Sequence, residues 1–137
     1  MSETRAGLTA AETARAIPAC ILAFLLPGLG HFFLGKRNKG LIFLVCLLVL
    51  FLMGVSMQSR LQLYLGFEDP LALLFSIAQM AMGAPYFLAR ALGYGAGDVA
   101  AMKAITYEYG NTFTAVAGLL NILVILDAFD TALGRKP

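Results

Sequence analysis

Hydrophobic and polar positions separate along this chain into long blocks instead of alternating. Residues 16–35, 40–59 and 70–89 each run for 20 positions without a charge, and 109–126 runs for 18. A bilayer core is crossed by ~20 apolar helical residues. Backbone groups in lipid have no water to bond, so each such block must satisfy itself as a helix. The pattern predicts an all-α, polytopic integral membrane protein. Its four-helix transmembrane bundle spans about 16–35, 40–59, 70–89 and 111–131, with a short interfacial helix within 91–110. A polar arm over 1–15 and a tail over 132–137 flank the bundle.

The four blocks differ in quality. GLIFLVCLLVLFLMGVSMQS is apolar all round, as a lipid-facing helix should be. The third block opens Glu68-Asp69-Pro70, with Asp at N-cap and Pro at the first helical position, and ends at Arg90, which can snorkel. Pro85 is expected to kink it. The first block carries Pro27-Gly28-Leu29-Gly30 halfway across, which breaks the helix. In the connection, Asp98 can cap a short helix through Ala104, placing Tyr94, Tyr107 and Tyr109 at headgroup depth. The glycine run 93–97 follows a helix and not a strand, so it reads as a hinge and not as a phosphate loop. A signal peptide is not expected, since no small-residue cleavage site follows the first apolar run. Ile17-Pro18-Ala19-Cys20 lacks the apolar stretch that a lipoprotein box needs upstream.

Composition strengthens the membrane reading. Charged residues are 13% and apolar residues 60%, with mean hydropathy +0.81. So few charges cannot cover a soluble domain, and disordered chains have the opposite bias. Net charge is +2 with no massed basic face, so nucleic acid is not an expected partner. Cys20 and Cys46 lie in apolar runs, which gives no disulfide framework. Orientation is open. Four full spans leave five basic residues on each side, and the dense Lys36, Arg37 and Lys39 tip the balance towards a cytoplasmic first turn. If Pro27-Gly28 turns the first block back as a re-entrant hairpin, the count becomes seven against three. The full span is the arrangement expected here.

Two sets of residues could carry chemistry. In PGLGHFFLGKRNKG, Gly28, Gly30 and Gly35 surround His31, and Lys36, Arg37 and Lys39 follow. Each cation at the membrane edge attracts anionic headgroups by ~1 kcal/mol. The turn is therefore a candidate site for lipid or a partner protein, although anchoring a tight hairpin would use the same residues. His31 is the only histidine, and only Asp127 and Asp130 offer help, so neither metal nor other cofactor is expected. The second set is Asn121, Asp127 and Asp130 on the fourth span. Intramembrane carboxylates must find partners. They could form a proton or cation relay, or sit in wet headgroups beside Arg135 or a basic loop. Ser76 and Gln79, three apart on the third span, could bond Asn121 across the interface, at ~0.6 kcal/mol each.

PGLGHFFLGKRNKGLIFL resembles the helical-hairpin core of the two-transmembrane-helix domain family, and small bacterial membrane proteins of unknown function with a similar turn. Gly28, Gly30, His31, Phe32, Leu34 and Gly35 carry the resemblance. Phe33 departs from the usual Tyr, and the Asp-Arg-Phe-like triplet is missing. The resemblance implies a membrane hairpin with a cytoplasmic turn, and it brings no chemistry. The expected function is a non-enzymatic, multi-pass inner-membrane accessory or scaffold protein acting through helix packing. Its expected partners are membrane lipids and copies of itself or a larger membrane complex. The alternative is a small oligomeric transporter or channel subunit using Asp127, Asp130 and Asn121. A lipid-acting enzyme built on His31 and an Asp has no nucleophile–base spacing behind it.

Overall fold

The computed structural model describes residues 10–61, 63–96 and 99–134, leaving aside the side chain of Ala101. Seven helices and no strand occur among the described residues. They are α1 (Ala10–Leu25), α2 (Leu29–Phe33), α3 (Arg37–Ser56), α4 (Pro70–Met80), α5 (Ala84–Ala91), α6 (Val99–Met102) and α7 (Tyr107–Ala132).

Two of them, α3 and α7, are long and apolar enough to cross a membrane. The bent pair α4–α5 raises the count to three only if it is taken as one span. Against the four spans expected from the charge-free windows stand two unbroken long helices and one bent pair, since the first and third windows each contain a break. The first window divides at Pro27-Gly28, where Gly28 takes φ 81°. A Cβ there would overlap the Gly40 carbonyl oxygen, so this left-handed turn tolerates only glycine. The chain then doubles back. Leu34, just past α2, packs in one cluster with Ala16 near the start of α1 and with Ala132 and Leu133 at the end of α7. The α1–α2 pair thus folds back on itself as a hairpin, where the sequence pattern favoured one continuous span.

The third window bends by 104° between α4 and α5. Asp69 caps α4 by accepting from the Leu71 and Ala72 amides at 3.1 and 3.2 Å, with Pro70 at the first helical position. The break lies at Ala81–Gly83, with Gly83 at φ 81°. Pro85, expected to kink the helix, sits instead in the first turn of α5, where its missing N–H costs nothing. Both ends of this pair return to Arg60, Leu61 and Tyr64. Asp69 and Ala72 line the same cleft as Arg60, Tyr64 and Arg90. Arg90 Nη1 donates to the Leu61 carbonyl at 2.6 Å, and the Leu61 amide donates to Gly95 O at 3.1 Å. The two hairpins therefore start from opposite ends of the α3/α7 pair, and their tips touch where Gly83 meets the Phe24 carbonyl.

The packing is inside out relative to a water-soluble bundle. His31, Ser76, Gln79, Thr114 and Asn121 are fully buried. Leu41, Ile42, Val45, Val49 and Leu52 of α3 face outward. Only Gly40, Leu47, Phe51 and Gly54 of α3 are buried, a narrow stripe that fits against α7. Small residues bring the backbones together: the α-carbons of Gly54 and Gly110 lie so close that either Cβ would press on the other's carbonyl. In the connection, α6 is a four-residue turn, and α7 begins at Tyr107, which takes Tyr107 and Tyr109 into its first turn. Asp98, expected as a cap, lies outside the described residues, as do Arg135 and most of the polar arm.

Candidate functional site

The break at Gly28 starts α2 at Leu29, and three residues later His31 is fully buried against α7. Its Nε2 lies 2.7 Å from Asp127 Oδ2. A carboxylate only accepts, so Nε2 carries the hydrogen and donates. Lys39 Nζ lies 2.8 Å from the same Oδ2. Lys39 sits in the first turn of α3, one turn beyond the Lys36 N-cap. One carboxylate oxygen thus ties α2, α3 and α7. The Phe43 ring stands edge-on to His31 at 5.1 Å, and His31 Nδ1 is buried with no hydrogen-bond partner. The side chain of Asp127 is 15% exposed and that of Lys39 36%, so the cluster opens to the outside on its lysine side.

This answers what neutralises Asp127: the basic turn does. Asp130, one turn on, is half-buried and also engaged. Gly30 packs against Ala19 and Ala23 of α1, where a side chain would clash with the Ala19 carbonyl. Gly35 takes φ 81° in open space, and Lys36 and Arg37 are exposed beside it. The turn residues from 28 to 39 and the α7 carboxylates are therefore one assembly at one end of the bundle. Among the described residues no group of three or more metal-ligating side chains converges.

The remaining polar residues form a second cluster deeper in the bundle. The interhelical bonds differ from those expected. Asn121 does not pair with Ser76 or Gln79; its Nδ2 donates to the Ala81 carbonyl at 2.8 Å, and its Oδ1 is buried without a partner. Breaking α4 at Ala81 frees carbonyls there, and a backbone oxygen is the nearest acceptor to Asn121. Gln79 Nε2 reaches Thr114 Oγ1 at 2.9 Å and the Arg60 carbonyl at 3.0 Å. Ser76 Oγ accepts from the Tyr64 amide at 2.8 Å. Asn111 Oδ1 accepts from the Arg60 amide at 2.8 Å. Gln79, Ser76 and Asn111 thus satisfy backbone groups of Arg60 and Tyr64, which lie outside the helices.

Sequence reasoning missed Thr114, Asn111, Ser59 and Tyr86, all of them buried. Gly110, Thr114, Gly118 and Asn121 recur every three or four residues and so share a face of α7. That spacing was the signal for Thr114. The others leave no comparable trace: Asn111 answers a backbone amide outside the helices, Tyr86 pairs with Arg90, and the Ser59 hydroxyl has no partner among the described residues.

No curated protein and no solved structure matches this chain. A family model does match over residues 18–137, and the chain accordingly belongs to a family of unknown function, DUF6677.

Proposed function

We infer that the protein is a small, non-enzymatic, multi-pass inner-membrane protein acting as an accessory or scaffold component. It packs with copies of itself or within a larger membrane complex, and its basic turn lies at headgroup level. The observation that carries this is the use of Asp127. Its Oδ2 is held by both His31 and Lys39, so the Asp127 carboxylate is spent on fastening a hairpin between two long apolar helices. The outward leucine, isoleucine and valine surface of α3 supports burial in lipid.

Topology follows from the two re-entrant hairpins. With α1–α2 and α4–α5 both taken as re-entrant, Arg5, Arg15, Lys36, Arg37, Lys39, Arg135 and Lys136, seven of the ten basic residues, are assigned to one side. Arg60, Arg90 and Lys103 fall on the other. The positive-inside rule then puts the Lys36–Lys39 turn and both ends of this chain in the cytoplasm. The resemblance of residues 27–44 to two-transmembrane-helix hairpins supports the same side. Co-purification from mild detergent is the test. A stable partner or homo-oligomer is the expected result, and a solitary monomer is the contrary one.

A second reading, a small oligomeric transporter or channel subunit, draws on the unpartnered buried Nδ1 of His31 and Oδ1 of Asn121. Polar atoms of that kind suit transient ligands. Flux in proteoliposomes that survives Asp127→Asn together with Asp130→Asn removes this reading.

A further inference from the structure

The segment that follows α3 borders two clefts, of about 1000 and about 750 Å³. Gly93, Tyr94, Gly95 and Ala96 line both, so the clefts share one wall. The larger is apolar along its length. Leu48, Phe51, Leu52 and Val55 of α3 face Pro85 and Leu88 of α5. These α3 positions recur at helical spacing, so they form one stripe about 10 Å long at 1.5 Å per residue. Its deep end is Leu26 and Ala84, beside the meeting hairpin tips, and its shallow end is Ser56, Gln58 and Ser59. The cleft therefore runs from the middle of the helical layer to one surface, the depth range of an acyl chain in a single leaflet.

Independent features at the shallow end call for a polar ligand. Ser59 is 2% exposed, and its Oγ has no partner. A buried hydroxyl normally has one. Gln58, its neighbour in the wall, adopts φ 68°, a conformation that non-glycine residues rarely hold. Across the shared wall, the smaller cleft contains Arg60 and Arg90. Arg90 bonds Leu61 O and the Tyr86 side chain, and a guanidinium with five N–H groups has others left to give. The carboxylate in that cleft, Asp69, is turned to the first amides of α4. Two guanidinium groups are suited to a phosphodiester.

We propose that the two clefts form a binding site for one anionic glycerophospholipid of the surrounding bilayer. An acyl chain lies along the apolar cleft, the phosphate meets Arg60 and Arg90, and Ser59 donates to a ligand oxygen between them. The site rests on the membrane-embedded reading above.

Native mass spectrometry of the detergent-purified protein tests it, with phosphatidylglycerol and phosphatidylcholine of identical chains as probes. The expected result is one retained phosphatidylglycerol per chain in preference to phosphatidylcholine. Arg60→Gln should weaken phosphatidylglycerol binding about fivefold, the value of one cation near a headgroup, and weaken phosphatidylcholine less, because the choline already neutralises its phosphate. Arg60 makes its structural bonds through its backbone, so this variant should keep the wild-type Tm. Leu52→Trp fills the cleft from an exposed position and should weaken both lipids. Equal retention of the two lipids, or retention of phosphatidylglycerol unaffected by both variants, overturns the proposal and leaves the membrane reading standing. A protein that stays dispersed and monomeric in buffer without detergent overturns both.

Discussion

The hairpins α1–α2 and α4–α5 each turn at a glycine with φ 81°, and each buries a ring three residues later, His31 in the first and Tyr86 in the second. They differ in what holds them. The first is fastened by charge, through Asp127 to His31 and Lys39. The second is fastened near its break by neutral amides, Asn121 to the Ala81 carbonyl and Gln79 to Thr114, and uses a charged group, Arg90, only at its outer end. Depth accounts for the difference. Asp127 lies near the C-terminal end of α7, whereas Asn121 is six residues further in, about 9 Å deeper at helical rise. An ionised group costs more the deeper it lies, and a lysine at the end can still reach water. Charge therefore serves where a solvated partner is at hand, and amides serve where it is not.

The largest effects should come from the hinges that the hairpins share. Gly28→Ala and Gly83→Ala each combine left-handed strain with overlap onto a carbonyl of a neighbouring segment. Strain of 1–2 kcal/mol and overpacking of 1–3 predict a loss of about 3 kcal/mol apiece. Gly93→Ala is the control: φ is 89° but the space is open, so only about 1–2 kcal/mol should be lost. Thermal unfolding in detergent measures all three, and equal losses at Gly83 and Gly93 would remove the close approach of the hairpin tips from the account.

Next come the fastenings, where the comparison is sharpest. Asp127→Ala leaves His31 buried and unpaired and Lys39 without its counter-charge. Fully buried pairs lose about 3–5 kcal/mol when broken; the partial exposure of Lys39 brings the expected loss to about 2. Hydrogen exchange should rise in residues 28–34 and stay constant in 80–86. Asn121→Ala should cost only about 0.6–1 kcal/mol, the usual value of an interhelical amide bond, with the exchange change confined to the α4–α5 break. An Asp127→Ala change that loosens both hairpins alike would mean that they are not separately held.

How far the chain announces this arrangement can be judged residue by residue. The all-helical membrane class was legible, because charge spacing against bilayer thickness is a strong constraint. Pro27-Gly28 also marked its break, and the basic turn as a source of partners for Asp127 was within reach. What was not legible was the direction of the chain after each break. Apolar length looks the same for a straight span and for two helices bent by 104°, so 70–89 carried no sign of the bend's size. The Asn121 bond was also out of reach, since its acceptor is the Ala81 carbonyl, freed by a break that Pro85 appeared to place four residues later.

The smallest perturbation tests the feature that both hairpins depend on, which is their return to the side they came from. Phe67 and Ile105 are 88% and 90% exposed, and they flank the α4–α5 pair. Thr106 bonds the Met57 carbonyl at 3.2 Å and the Asp69 amide bonds Tyr64 Oη at 3.2 Å, so both flanks sit at the α3 C-terminal end. In a background with Cys20→Ala and Cys46→Ala, single Phe67→Cys and Ile105→Cys variants should react with a membrane-impermeant maleimide from the same face of the membrane. Lys36→Cys should react from the opposite face. Neither cysteine lies in a packed contact of the bundle, so stability should change by less than about 0.5 kcal/mol. Labelling of Phe67→Cys and Ile105→Cys from opposite faces would make α4–α5 a bent crossing span. The basic residues would then have to be reassigned, and α1–α2 alone would remain as a hairpin that turns back.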